Sequence, residues 1–218
     1  MIEIKLNKII IIDDFIPAKY QDEIENFLLV NDHPWFFQSD ITLSDLHLRN
    51  LDKLHPDNKP ARRPGFGSMV FDPANGRGSP YNFLTPMLYC GAEKADISVN
   101  QIDLMRGFLS MPVPVDKVDK IDKPHIDKPF PHIVGLYYVN DADGDTVIYK
   151  ETHDRVLDPQ AKKLWSDLNA SEIKPESLTI EQTVSPKKGR LVFFNGNHYH
   201  SSTQPTSGPR CVLNFNFI

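Results

Sequence analysis

The sequence predicts a mainly β fold, and three features of its 218 residues indicate this. Eighteen prolines and eleven glycines indicate many turns. Beyond about residue 97, apolar residues recur in short runs that turn residues separate. Eight runs are candidate strands: 101–110, 121–127, 132–140, 145–150, 178–184, 190–195, 198–204 and 210–217. Eight short strands are typical of a double-stranded β-helix, or jelly roll, and N-terminal helices are predicted to pack on one of its sheets.

The N-terminal elements are predicted in chain order from their apolar periodicity. Residues 2–12 alternate and then become continuously apolar, which indicates a strand that ends buried. Helices are predicted over 17–30, where a proline occupies the start, and over 81–93, where Pro86 limits the starting point. Between them, 31–78 shows little periodicity, so its aromatic and Pro/Gly-rich segments are predicted to be loops, and such loops often line a binding mouth. Each of Trp35, Phe36 and Phe37 taken singly is expected to pack rather than to bind.

We expect a single domain, 1–218, because this length suits one full core. Residues 1–100 would support the barrel, and 101–218 would form the jelly-roll core. The core is predicted to carry an insertion at about 151–178, in which Asp158 and Pro159 can start a short helix.

Composition and charge restrict the classes of partner. The net charge is −5 and no dense block of Lys and Arg occurs, which disfavours nucleic acid as a partner. The two cysteines, Cys90 and Cys211, are expected to be reduced thiols in a reducing cytosol. We find no signal-peptide pattern and no apolar run of membrane-spanning length, and therefore expect a soluble cytoplasmic protein without a membrane partner.

His125 and Asp127 form the clearest candidate metal-binding pair. On a strand, residues two apart point to the same face, so both side chains can bind one metal while Ile126 faces away. Two imidazoles and one carboxylate leave three positions of an octahedron open, as in non-haem Fe(II) oxygenases. The third ligand is His198 or His200, and strand alternation does not separate them because they too are two residues apart.

The motifs around this pair resemble the 2-oxoglutarate and Fe(II)-dependent dioxygenases, and in particular their prolyl-4-hydroxylase-like branch. The resemblance covers about 100–218, and weakly 1–30. It is carried by four segments and a cation: His125-Ile-Asp127, Leu136-Tyr-Tyr-Val-Asn140, Lys188-Gly-Arg-Leu-Val-Phe-Phe194, His200-Ser-Ser-Thr-Gln-Pro205 and Arg210. In that branch, Arg or Lys follows the distal His by about ten positions. This spacing selects His200, ten residues before Arg210, over His198.

The resemblance implies an activity and a set of site residues. His125, Asp127 and His200 would bind Fe(II), while Arg210 and Tyr137 would bind the far carboxylate of 2-oxoglutarate. With O2, the enzyme would hydroxylate an unidentified peptide, protein side chain or small molecule, giving succinate and carbon dioxide, and the resemblance admits ascorbate as an accessory reductant.

One family feature is missing from the strand upstream of the HxD pair. Family members often place a Tyr there in contact with the cosubstrate, whereas this chain reads Leu104-Met-Arg-Gly-Phe-Leu-Ser-Met111. Arg106 or Ser110 are the candidates to replace it.

Two other classes of function remain open at this point: a jelly-roll module without catalysis, and a metal cupin that does not use 2-oxoglutarate. His198 is either a contact near the iron or an ordinary strand-edge histidine, and His132 is expected to be packed or on the surface. Asp143-Gly-Asp145 is interpreted as a turn because it lacks the remaining ligands of a calcium loop.

Overall fold

The computed structural model describes residues 6–30, 32–41, 63–113, 121–128, 130–152 and 175–218. Two α-helices occur in these ranges, α1 (Ala18–Glu25), which continues into a π-helical turn (Asn26–Val30), and α2 (Tyr81–Ala95). The strands are β1 (Ile10–Ile12), β2 (Phe36–Gln38), β3 (Gly65–Asp72), β4 (Gly76–Arg77), β5 (Ile102–Ser110), β6 (Ile133–Tyr138), β7 (Thr146–Thr152), β8 (Ile180–Val184), β9 (Leu191–Asn195), β10 (His198–Ser202) and β11 (Arg210–Phe217). A 3-10 turn (Pro175–Ser177) precedes β8. No helix in the described part of the chain has both the length and the apolar character needed to cross a membrane.

The strands form two antiparallel sheets. The larger sheet has the order β1-β9-β6-β11-β5-β3-β2, with β4 paired to β3, and the smaller sheet has the order β10-β7-β8. A separate antiparallel bridge joins His125 to His200 at the edge of the smaller sheet. This arrangement confirms the predicted mainly β jelly roll.

The larger sheet separates two apolar cores. On one face, residues such as Tyr137, Leu213 and Phe215 pack with the apolar sides of α1 and α2. On the other face, residues such as Tyr138 and Val212 pack with Ile148 and Val184 of the smaller sheet and form a separate apolar cluster. Alternation along each strand therefore assigns odd-numbered residues of β6 and β11 to the helix side and even-numbered residues to the space between the sheets. The predicted packing of helices on one sheet is observed.

The strands of the C-terminal half follow the apolar runs closely, with one exception. The run at 121–127 is not a strand, and its regular pairing is limited to the bridge between His125 and His200. Pro124 has no N–H for a ladder hydrogen bond, and Asp127 turns its carboxylate inward against polar partners.

The region 31–78 contains three strands where loops were predicted. Eight residues of β3 read Gly-Phe-Gly-Ser-Met-Val-Phe-Asp, and the two glycines concealed the strand pattern. β3 pairs with β5, and the side chains of Ile41 and Gln38 approach so closely that a Cβ at Gly65 or Gly67 would collide with them. The glycines therefore accept neighbouring side chains rather than mark a turn. The predicted helix near Asp158 lies outside the described residues, as do residues 2–5 of the first predicted strand.

Candidate metal centre

His125, Asp127 and His200 are brought together where the segment before β6 meets β10. The backbone N–H of His125 donates to the carbonyl of His200 at 2.9 Å, and the reverse hydrogen bond is 3.0 Å long. The two imidazole rings consequently lie 4.5 Å apart between centroids. One ligand-type atom from each of the three residues lies within 4.8 Å of the other two. The bridge, rather than a continuous strand, holds the cluster together.

The lone pairs in this cluster point toward one another. Asp127 Oδ1 lies 3.7 Å from His125 Nε2 and 3.8 Å from His200 Nε2. The Nδ1 atoms face backbone carbonyls, that of Lys123 at 3.3 Å from His125 and that of His198 at 3.2 Å from His200. Because a carbonyl only accepts, these contacts place the proton on Nδ1 and leave the Nε2 lone pairs free for a metal.

The protonation states of the cluster suit a divalent metal. Burial lowers the pKa of His200 to about 4, and the nearby His125 contributes in the same direction. Burial on its own would raise the pKa of Asp127, but the charge of Arg106, the two histidines and the Asn214 amide outweigh it and hold that pKa below its usual range. At neutral pH the cluster therefore offers a neutral imidazole from His200 and an ionised carboxylate from Asp127, the forms that bind metal.

Asp127 is surrounded by donors from β5 and β11. Arg106 Nη2 donates to Oδ1 at 3.0 Å, and its guanidinium lies 4.6 Å above the ring of Phe108. Oδ2 accepts from Asn214 Nδ2 at 3.0 Å and from Asn216 Nδ2 at 2.9 Å. Arg106 was considered from the sequence as a cosubstrate contact, and the structure places it on the Asp127 carboxylate. The two asparagines were missed, although alternation from Arg210 along the last strand puts both on its face.

Arg210 lies deeper between the sheets, at the start of β11, and is 5% exposed. Its Nη2 donates to Thr146 Oγ1 at 2.8 Å, and Tyr138 donates to the same oxygen at 2.7 Å. Ser110 is its partner in the β5 register. Arg210 Nε is buried and has no hydrogen-bond partner among the described residues. A buried guanidinium with an unpartnered Nε donor is a candidate site for a carboxylate, which can accept from it.

A second buried carboxylate, Asp122, belongs to the same region. Ser202 donates to its Oδ2 at 2.7 Å, and Arg63 forms an ion pair with it. Burial raises the pKa of Asp122, while the charges of Arg63 and Arg210 act in the opposite direction. Because Arg63 forms an ion pair with Asp122, the charge of the Asp122 carboxylate is balanced without Arg210. Neither member of this pair was identified from the sequence.

Tyr137 does not face Arg210, contrary to its predicted role, and the neighbouring Tyr138 does. Tyr137 packs edge-on against Phe15 on the helix side, with ring centroids 6.0 Å apart. Burial raises the pKa of its hydroxyl, which has no hydrogen-bond partner in the described ranges. Alternation on β6 directs Tyr138 toward Arg210 instead, with the guanidinium carbon 5.7 Å from its ring centroid.

The other histidines considered lie outside the cluster. His198 Nδ1 donates to the carbonyl of Tyr149 at 2.7 Å and lies 3.6 Å from Glu181. An irregularity in the pairing of β10 with β7 separates its environment from that of His200. His132 is fully buried, donates from Nδ1 to the Phe130 carbonyl at 2.8 Å, and packs so tightly on Gly196 that no Cβ fits there. Of the two positions expected for His132, packed in the core or on the surface, the structure shows the first.

Similarity to known proteins is found at the level of structure. The sequence matches no protein-family model and no curated protein. The non-heme alpha ketoglutarate dependent epimerase SnoN from nogalamycin biosynthesis has a TM-score of 0.57 at 13% identity, over 96% of this chain and 76% of that chain. SnoN in complex with Fe3+, alpha ketoglutarate and nogalamycin RO has a TM-score of 0.55 at 11% identity, over 96% and 78%. HygX from Streptomyces hygroscopicus, with nickel, 2-oxoglutarate and hygromycin B bound, has a TM-score of 0.52 at 11% identity, over 96% and 82%.

At these identities the likeness shows the fold. The chain has the jelly roll of 2-oxoglutarate-dependent enzymes, together with a His-Asp-His group that can hold a metal. The comparisons do not select the prolyl-4-hydroxylase-like branch.

Proposed function

We propose that this chain is an Fe(II)- and 2-oxoglutarate-dependent oxygenase that hydroxylates its substrate and releases succinate and carbon dioxide. One observation carries the proposal. The His-Asp-His donor set and the buried Arg210, whose Nε has no partner among the described residues, lie on the same side of the larger sheet. This follows because Asn214 and Asn216, which bind Asp127, are on the same face of β11 as Arg210. Binding of a metal alone would require only the His-Asp-His donors. A dicarboxylate cosubstrate that chelates the metal would also require a cation such as Arg210 for its far carboxylate.

His125, Asp127 and His200 would hold the iron. Their imidazole and carboxylate donors are those of the facial triad, which leaves three positions open. Bound iron with 2-oxoglutarate supplies the oxidising chemistry, and the protein supplies the geometry. The carbonyl contacts to both Nδ1 atoms hold the imidazole rings in the orientation that aims Nε2 at the metal.

Arg210 would bind the far carboxylate of 2-oxoglutarate. Thr146 fixes one edge of the guanidinium and leaves Nε, with its buried hydrogen, to a ligand. Tyr138 orients Thr146 and replaces Tyr137 in the role that the family resemblance implied. Ser110, opposite Arg210 on β5, is a further candidate contact at this end of the pocket.

The substrate class rests on the sequence resemblance. The order and spacing of the motifs support the prolyl-4-hydroxylase-like branch, and with it a peptide or protein side chain, while a small molecule is the alternative. Ascorbate would then be tested as an accessory reductant. A screen for succinate formation over peptides, amino acids and nucleosides identifies the class, and a nucleoside substrate would contradict the expectation from the acidic net charge.

Anaerobic titration with Fe(II) and 2-oxoglutarate tests the proposal. The wild type should develop the weak visible band of an iron–keto acid chelate, and His125→Ala/Asp127→Ala should lose it. Arg210→Ala should keep metal binding and weaken 2-oxoglutarate binding by ~2–5 kcal/mol, the usual loss when one member of a buried charged pair is removed. A wild type without the band, or a band unchanged in the double variant, contradicts the proposal.

The same titration separates the alternatives. A metal cupin that does not use 2-oxoglutarate would bind the metal and be indifferent to Arg210→Ala. A jelly-roll module without catalysis would develop no chelate band in the wild type.

A further inference from the structure

The two oxygens of the Asp127 carboxylate have different surroundings. The side chain is 1% exposed, so every contact is made inside the protein. Oδ1 faces the Nε2 atoms of both histidines and also accepts from Arg106. Oδ2 accepts from two amides, those of Asn214 and Asn216.

Two neighbouring strands supply all three donors. Arg106 on β5 is paired in register with Asn214 on β11, and Asn216 follows two residues later on the same face. Alternate residues of a strand are about 6.6 Å apart, so the two asparagines start from different points along β11. Their amide groups nevertheless both donate to the same oxygen of Asp127. β-sheet register fixes the positions of the three donors, and the bridge between His125 and His200 holds the segment that carries Asp127.

We propose that Asn214 and Asn216 are positioning residues that occupy Oδ2 and present only Oδ1 to the metal. The inference deepens the proposed function and rests on its metal centre. A carboxylate can bind a cation through one oxygen or through two. With both amides on Oδ2, turning that oxygen toward the metal would break two buried hydrogen bonds to a charged acceptor. Asp127 therefore takes one coordination position.

This restriction matters for the number of open positions. Two imidazoles and one oxygen leave three of six positions, enough for a keto acid bound through two atoms and for O2. A carboxylate bound through both oxygens would leave two, and the cosubstrate alone would fill them. The asparagines thereby keep the third position available.

Neutral amides suit this task better than other donors. A lysine or arginine would place a further cation beside a divalent metal that already has Arg106 as a neighbour. The amide oxygens of Asn214 and Asn216 are buried and accept no hydrogen bond from any residue that the structure describes. Their burial is unfavourable for stability, so the contact with Asp127 is the feature that explains two asparagines on this buried strand.

Metal binding by Asn214→Leu, Asn216→Leu and the double variant tests the assignment, with Co(II) alone as the probe. Leucine keeps the branching at Cγ, is larger than asparagine and has no donor. Each single variant should bind Co(II) about 10- to 100-fold more weakly, the usual effect of removing a partner of a metal ligand. The visible d–d spectrum of the bound Co(II) should also change in position and intensity, because a freed Oδ2 alters the coordination. A purely structural role would leave that spectrum unchanged.

Asn140→Ala is the matched control. Asn140 donates to the carbonyl of Pro209 and accepts from the N–H of Cys211, so it holds the start of the same strand without contacting Asp127. This variant should lower the melting temperature and leave the Co(II) affinity and spectrum unchanged. If the leucine variants do not fold, Asn214→Ser and Asn216→Ser, whose hydroxyl is too short to reach Oδ2, carry the same expectation.

The outcomes separate this assignment from the proposed function. Folded leucine variants with unchanged Co(II) affinity and spectrum overturn the assignment, whatever the activity. A wild type that binds Co(II) but forms no keto acid chelate overturns the oxygenase proposal, and the asparagine variants still test the ligand geometry. A wild type that binds no Co(II) overturns the metal centre and the assignment together.

Discussion

Thr146 connects the candidate cosubstrate site to the sheet through one oxygen. Its Oγ1 accepts from Arg210 at 2.8 Å and from Tyr138 at 2.7 Å. Tyr138 is fully buried, so its hydroxyl cannot exchange this partner for bulk water. The orientation of the Arg210 guanidinium therefore depends on Tyr138 and not on Tyr137, the tyrosine predicted from the sequence.

Comparison of Tyr138→Phe with Tyr137→Phe tests this difference. Loss of the Tyr138 hydroxyl removes one buried hydrogen bond from Thr146 and should weaken 2-oxoglutarate binding about 2- to 10-fold, equivalent to ~0.5–1.5 kcal/mol. Tyr137→Phe should leave the affinity unchanged, because that hydroxyl lies on the helix side of the sheet. The anaerobic visible titration measures both. A loss confined to Tyr137→Phe would restore the original assignment.

Gly144 makes room for the Arg210 side chain. A Cβ at Gly144 would lie 2.9 Å from Arg210 Cδ and 2.8 Å from the carbonyl oxygen of Thr203. Because the second contact is with backbone, Gly144→Ala should displace the chain near Arg210 and weaken 2-oxoglutarate binding at least several-fold, with little effect on the metal. Gly208→Ala is the control, since a Cβ there meets nothing within 4 Å. Equal 2-oxoglutarate affinities for the two variants would contradict the argument.

Residue types and spacing predicted which three residues come together, but they did not predict which side of a strand each tyrosine faces. His125, Asp127 and His200 share a recognisable pattern, and the structure brings them together. Tyr137 and Tyr138 are chemically identical neighbours, and only the three-dimensional packing of β6 decides which one faces Arg210. Arg63 and Asp122 are far apart in sequence, and nothing local indicates that they meet.

At the scale of elements, an exposed ion pair fastens the turn after β1 to the entry of β9. Arg190 donates from Nε to Asp13 Oδ1 at 2.7 Å and from Nη2 to Oδ2 at 2.9 Å, and Lys187 lies 3.2 Å from Oδ2. The Arg190 hydrogen bonds lower the pKa of Asp13 to about 2 despite some burial. β1 is only three residues long, so this contact strengthens an otherwise short edge pairing.

The stability contribution of Asp13 should depend on pH. Its pKa is about 2 in the folded state against an ordinary 3.8, so the contribution is present above pH 3.8 and is lost as the pH falls toward 2. The pair is partly exposed, so Asp13→Asn should lower the free energy of unfolding at pH 7 by only about 0.5–1 kcal/mol. Urea unfolding of wild type and variant at pH 7 and at pH 3 measures this, and the difference should be smaller at pH 3.

Asp14→Asn is the control for that measurement. Asp14 lies 3.6 Å from Lys187, a longer contact than those of Asp13, and asparagine tolerates its positive φ of 50°. Its effect at pH 7 should be smaller than that of Asp13→Asn. A difference between wild type and Asp13→Asn that grows on acidification would contradict the assigned sign.

Element prediction succeeded where the local pattern and the partner strands agree. The predicted strand 210–217 coincides with β11, because an unbroken alternating apolar run suits a central strand between β6 and β5. β3 was missed because Gly65 and Gly67 resemble turn signals, and their reason is the approach of Ile41 and Gln38. The segment 121–127 was predicted as a strand because alternation cannot show that Pro124 interrupts the ladder.

At the scale of the whole molecule, the two faces of the larger sheet differ, because only one of them carries the polar groups of the candidate site. Its helix side is an apolar core closed by α1 and α2, and its other side holds a second apolar core together with the polar groups around Asp127 and Arg210. Substitutions of apolar residues in either core should therefore change unfolding first, whereas substitutions of the polar groups around Asp127 and Arg210 should change metal or cosubstrate binding first.

The two cysteines are on the helix side of the larger sheet and differ in exposure. Cys90 is exposed on α2, whereas Cys211 is buried on β11, where burial raises the pKa of its thiol. Under native conditions a thiol reagent should modify one cysteine quickly, and both should react in denaturant. The melting temperature should be the same with and without reductant, because both cysteines are free. Two fast native reactions, or none, would contradict the positions assigned here.

The last strand has a consequence for how such a chain can diversify. On β11, Arg210, Asn214 and Asn216 alternate with Cys211, Leu213, Phe215 and Phe217, and the two sets face opposite sides of the sheet. A single-residue insertion or deletion within the strand would exchange the sets, directing the polar groups into the helix-covered core and the aromatic rings toward the candidate metal centre. Evolution and laboratory selection are thus confined to substitutions here, and changes of length that alter specificity should accumulate in the loops that leave the barrel.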